Sequence, residues 1–107
     1  MKDKKYIERI KTYCNKILLY TSEVSNIEEF QRNEEKVDAV LFNLEQIGET
    51  ARKLSESFKG NIPSIKWNSI IGLRNLISHE YEGVDITIIY NVVTQSIPDL
   101  LNRINDI

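Results

Sequence analysis

Little in this chain points to a disulfide, a metal centre or a membrane. Cys14 is its only cysteine, so no internal disulfide and no thiolate cluster for zinc can form, which fits a reducing compartment. His79 is its only histidine, which removes the paired-imidazole spacings of metal sites. A phosphate-cradling glycine loop and a nucleophile elbow are also missing, which disfavours kinase-like and serine-hydrolase chemistry. No run approaches the ~20 apolar residues of a membrane span. The charged start Met1-Lys2-Asp3-Lys4-Lys5-Tyr6-Ile7-Glu8-Arg9 lacks the apolar core of a signal peptide, so a cytoplasmic protein with no membrane partner is expected. Nor is there an excess of positive charge. Lys plus Arg number 14 against 16 Asp plus Glu, a net charge of −2, so any phosphate recognition must be local.

What remains is helical periodicity. Ile7, Ile10, Cys14, Ile17, Leu18 and Thr21 recur every three or four residues and predict an amphipathic helix over about Asp3 to Ser22. Ser25-Asn26-Ile27-Glu28 has capping-box spacing and predicts a short helix through Phe30. Asn33 can cap a long helix carrying Val37, Val40, Leu41, Leu44, Ile47, Ala51, Leu54 and Phe58. Gly60-Asn61-Ile62-Pro63-Ser64 reads as a loop, followed by a helix from about Trp67 to Glu82 that ends near Gly83. Asp85 can cap a last helix, which Pro98 should kink. No strand-like alternation, repeat or low-complexity tract interrupts the series. Residues 1–107 therefore predict one all-α domain, an antiparallel bundle of four to five helices joined by short loops.

The segment Arg74-Asn75-Leu76-Ile77-Ser78-His79-Glu80-Tyr81 concentrates the chemistry. On an ideal helix counted from Ile70, Arg74 points to about 40°, Ser78 to about 80° and Tyr81 to about 20°, inside a mainly apolar arc. An arginine there needs an anion or a partner. Asn75 and His79 form an adjacent polar stripe, one above the other. Arg74 and His79 diverge by about 140°, so within one straight helix they would not readily meet on one small ligand. Either the helix loosens near His79, or a second copy supplies the missing half across a two-fold axis.

Arginine, a polar residue, three more positions, histidine, one residue and tyrosine resemble the active motif of HepT-like toxins of the HEPN superfamily. Asp38-Ala39-Val40, Ile47-Gly48-Glu49, Trp67, Ile70-Ile71-Gly72-Leu73, Val84-Asp85 and Ile97-Pro98-Asp99-Leu100 resemble the family pattern in the same order. Lys66 stands where such sequences often carry proline, which weakens the helix start and leaves the motif intact. The resemblance implies a single HEPN-like domain, homodimeric or of higher order, that cuts RNA without metal or cofactor. It also implies a type VII-like toxin–antitoxin pair, in which a minimal nucleotidyltransferase antitoxin attaches AMP to the motif tyrosine, here Tyr81.

In that scheme His79 takes the proton from a ribose 2′-hydroxyl near neutral pH. Arg74 stabilises the pentacoordinate phosphate, and Asn75 and Ser78 support it. AMP on Tyr81 would occupy Arg74 and block the cleft. Two blander readings of the chain stand beside this one. The chain is a non-catalytic helical dimer serving a nucleotidyltransferase, or a scaffold in which Arg74 merely pairs with Glu49 or another acid. Tyr6, Tyr13 and Tyr20 more often mark a packing seam than a base-stacking surface. Gly48 is expected to permit a close helix approach, and Glu45 and Glu49 to make surface pairs, Glu49 with Arg52 or Lys53, rather than hold a metal.

Overall fold

The first helix, α1 (Lys2–Thr21), buries Ile7, Ile10, Cys14 and Ile17 along one stripe, as its spacing predicts. Each isoleucine so buried is worth about 1.5–3 kcal/mol. Tyr6 and Tyr13 pack against the core beside that stripe, so the tyrosine repeat is at least partly a packing seam. The computed structural model describes residues 2–78 and 85–107, with Leu76 and Ser78 described by their backbone alone. Among the described residues every regular element is helical, and no helix is long and apolar enough to cross a membrane.

The short α2 (Ile27–Arg32) starts one residue later than the serine-based capping box implies. Asn26 is the cap, accepting from the Glu29 N–H, and Glu29 in turn accepts from the Ser25 N–H at 2.9 Å. Asn26 wins because its side-chain oxygen reaches the third helical N–H, the usual work of an N-cap. Phe30 is fully buried and meets Tyr90 with ring centroids 5.8 Å apart.

Asn33 caps α3 (Glu34–Arg52) as predicted, accepting from the Lys36 N–H. This helix packs against both α1 and the later α5, and its buried face runs from Val40 through Leu44 and Ile47 to Ala51. The buried polar side chains Asn43 and Thr50 return their hydrogen bonds to Ala39 O and Gln46 O, both at 2.7 Å, so neither is left unpaired.

The predicted extension of α3 to Phe58 does not occur. Asp3, at the start of α1, accepts from the Ser55 N–H at 2.9 Å and the Ser55 hydroxyl at 2.8 Å. An N–H that would continue the helix ladder is thereby diverted to a side chain 52 residues away. Ser55 then caps the short α4 (Glu56–Gly60), its hydroxyl accepting from the Phe58 N–H. The same bond makes α1 and α3 antiparallel, because the start of one lies beside the end of the other.

These two hydrogen bonds from Ser55 hold the Asp3 carboxyl below its ordinary value of 3.8. A carboxylate depressed in the folded state adds stability above its unfolded pKa and loses it as pH falls through the folded value. Asp3→Ala is therefore expected to lower the urea midpoint at neutral pH. The difference from wild type should shrink as pH falls from the ordinary carboxylate value through the lower folded one, and a difference that stays equal into strong acid would refute the assignment.

The loop after α4 is tied down by the Trp67 indole N–H, which donates to Ile62 O at 3.2 Å, and by Phe58 tilted against the same indole. Lys66 does not prevent α5 (Trp67–Ser78) from starting, since its carbonyl accepts from the Ser69 and Ile70 N–H groups. The predicted continuation of α5 to Glu82 and its stop at Gly83 lie outside the described residues.

Asp85 caps α6 (Ile86–Asn91), accepting from the Thr87 N–H. Pro98 produces a change of helical pitch rather than a break. A π-helical turn, Val92–Ser96, leads into α7 (Ile97–Asn105), and the Ile97 N–H reaches back to Val92 O. The wider turn takes up the irregularity left by a residue that has no N–H to donate.

Candidate active site

Helix α5 carries the first half of the motif. Ile77 is fully buried, Ile70, Ile71 and Leu73 are partly buried, and Asn75 is exposed. Arg74 sits between the apolar and open faces with its side chain 43% exposed, so it is anchored by packing yet open to solvent. The predicted need for a partner is met by Glu49 on α3, whose Oε1 pairs with Arg74 Nε.

The approach of the two helices follows from Gly48. A Cβ there would lie 3.0 Å from Arg74 N, 3.1 Å from Ile70 O and 3.2 Å from Arg74 Cβ. Backbone therefore packs on backbone at this crossing, as expected of Gly48, and its neighbour Glu49 meets the Arg74 side chain at short range.

Glu49 holds a second cation. Its Oε2 accepts from Arg52 Nη2 at 3.1 Å, the surface pair predicted from sequence spacing. The Arg52 hydrogen bond first, and then the charges of Arg52, Arg74 and Lys53, lower its pKa below the ordinary 4.5, against an opposing desolvation. Glu49 is thus a carboxylate at any physiological pH. Spacing alone offers Arg52 or Lys53 as its neighbour, and the fold selects Arg52. The tie to Arg74 connects different helices and was visible only as one of several acids able to reach that arginine.

Of the predicted site residues, Arg74 and Asn75 are placed on one described helix. The Ser78 side chain, His79 and Tyr81 lie outside what the structure describes. Among the described residues, no group of three or more His, Cys, Asp and Glu is arranged to hold a metal ion. Cys14 is buried and its thiol is pushed up to about 12 by desolvation, which leaves it a core side chain rather than a nucleophile.

A separate cleft of about 400 Å³ opens between the start of α5 and the π-helical turn with α7, lined by Lys66, Ser69, Ile70, Leu73, Ile97 and Arg103 among others. Arg74 is not in its wall.

The sequence matches the family model described as "Ribonuclease HepT-like" over residues 4–107. It is 28% identical over 101 residues to "Putative RNase MJ1380" of Methanocaldococcus jannaschii, covering 94% of this chain and 92% of that protein. It is 31% identical over 100 residues to "Probable ribonuclease HepT" of Thermococcus cleftensis, covering 94% and 90%. A third relative, "Putative RNase TTE0752" of Caldanaerobacter subterraneus, is 29% identical over 102 residues, covering 95% and 90%. No solved structure matches the chain.

Proposed function

This chain belongs to the ribonuclease HepT-like family, and from that premise we propose that it is a metal-independent endoribonuclease acting on RNA at a cleft between two copies. The observation that carries the reading is a half-exposed Arg74, held at the head of the Arg74…His79 motif, in a chain whose family match extends over residues 4–107.

In the proposed reaction His79 takes the proton of a ribose 2′-hydroxyl, and the 2′-oxygen attacks the adjacent phosphorus. Arg74 neutralises the extra charge of the pentacoordinate state. The 5′-oxygen leaves with a proton, producing a 2′,3′-cyclic phosphate and a 5′-hydroxyl end. Asn75 and Ser78 orient the phosphate or the facing copy. Every role in this scheme falls to a side chain. The divergence of about 140° between Arg74 and His79 on an ideal helix supports a homodimer in which each cleft takes one residue from each copy.

The same reading makes the protein a cytoplasmic toxin of a type VII-like HEPN/MNT pair. A cognate minimal nucleotidyltransferase silences it when the Tyr81 hydroxyl attacks the α-phosphate of ATP, forming the AMP ester and releasing pyrophosphate. The added phosphate and bulk compete for Arg74.

The test is cleavage of a ribo-oligonucleotide in excess chelator by wild type and His79→Ala. Wild type should cut, leaving cyclic-phosphate ends, and the variant should lose about 100-fold or more. Equal residual activity in both would remove the nuclease assignment. AMP transfer to Tyr81 without any RNA cleavage would favour a non-catalytic helical dimer that serves the nucleotidyltransferase.

A further inference from the structure

The guanidinium required for cleavage is oriented from outside its own helix. We infer that Glu49 is a positioning residue of this site: it holds Arg74 by Nε and so presents the two terminal amino groups of the guanidinium to the phosphate. This inference rests on the ribonuclease reading above.

Three features of the α3–α5 crossing support it. The first is proximity, since the backbone contact at Gly48 places the next residue of α3 against the side chain of Arg74. The second is the choice of atom. The ion pair with Glu49 is made on the Nε side of the guanidinium, which leaves the four N–H donors of the two terminal nitrogens for a bidentate grip on phosphate oxygens. The third is that Glu49 is itself held. Arg52 occupies its other oxygen at 3.1 Å, so the carboxylate arrives ionised and oriented.

The pair is too exposed to be explained by stability. Glu49 keeps 25% and Arg74 43% of their side-chain surface, and ion pairs open to solvent contribute little to folding. What the pair provides is geometry. An arginine released from Glu49 would sample several rotamers, and small misplacements of a catalytic group cost rate far more than they cost affinity. Arg52 acts one step further out by restraining Glu49.

The experiment compares wild type, Glu49→Gln and Arg52→Gln in the full chain. It measures kcat and KM on a ribo-oligonucleotide, the thermal midpoint, and the solvent exchange of the Arg74 Nε–H by NMR, with that signal identified by its loss in Arg74→Lys. Glu49→Gln should lower kcat about 10-fold or more with KM changed less than about 3-fold. The thermal midpoint should stay close to wild type, and the Nε–H should exchange faster, because a neutral amide holds a guanidinium less firmly than a carboxylate does. Arg52→Gln should move kcat the same way by a smaller factor. A Glu49→Gln protein that cuts as well as wild type, or better, overturns the inference alone, as does an Nε–H already unprotected in wild type. A wild type that cuts no RNA at all overturns the ribonuclease reading and takes this inference with it.

Discussion

Arg74→Ala is expected to lower kcat/KM for RNA cleavage by about 100-fold or more, the usual scale for losing a group that stabilises charge in a transition state. Arg74→Lys should recover only a small part of that loss. An ammonium supplies a point charge without the planar fork, and it has no Nε–H for Glu49 to hold while the remaining donors meet the phosphate. The thermal midpoint should move by no more than about 3 °C in either variant, because the side chain is 43% exposed. Parallel measurement of cleavage and thermal unfolding decides the matter. A large fall in midpoint with no other consequence would make Arg74 a structural residue and leave the chain a scaffold.

The second large effect should come from Gly48→Val. The atoms that an added Cβ would meet first are Arg74 N and Ile70 O, both backbone, so no side chain can swing aside to admit it. Helix α5 must move away from α3. Overpacking of this kind costs about 1–3 kcal/mol, which in a domain near this size lowers the thermal midpoint by about 5–15 °C. Gly48→Ala should be milder, because alanine recovers up to about 1 kcal/mol of helix propensity relative to glycine. Since the displaced atoms include the backbone of Arg74, cleavage should fall in Gly48→Val even at temperatures where the variant remains folded. A Gly48→Val protein as stable and as active as wild type would show that the two backbones are not in contact at this crossing.

Both expectations concern the α3–α5 crossing, whose contacts join residues 22 to 26 apart in sequence, and that separation is where short-range rules lose their reach. Its successes were local. Asn33 and Asp85 could be identified as helix caps because the groups they bind lie two or three residues downstream. The buried stripe of α1 could be identified because period 3.6 alone dictates which side chains share a face. Gly48 was read as a site of close approach, although nothing in the sequence named the helix it would meet.

The errors share one cause. The capping-box spacing points to Ser25 and the cap is Asn26, because neighbouring residues compete for the same N–H and three-dimensional geometry decides between them. Leu54 and Phe58 keep helical spacing and so predict α3 through Phe58, and Leu54 is indeed buried. The helix ends at Arg52, where the Lys53 and Leu54 N–H groups turn to Thr50 O and Ala51 O, and Asp3, far away in sequence, takes the Ser55 N–H that could have continued it. Pro98 marks an irregularity in the last helix, and only the fold shows that it takes the form of a π-helical turn ahead of the proline.

Local chemistry, written residue by residue, was enough to establish an all-α chain, most of its helix starts, its apolar faces and the segment in which an arginine precedes the only histidine. Which acid receives that arginine, and where α3 stops, came only from the folded form. Both depend on groups brought together by the packing of α3 against α1 and α5, and no short-range rule of propensity or spacing encodes a distance between helices.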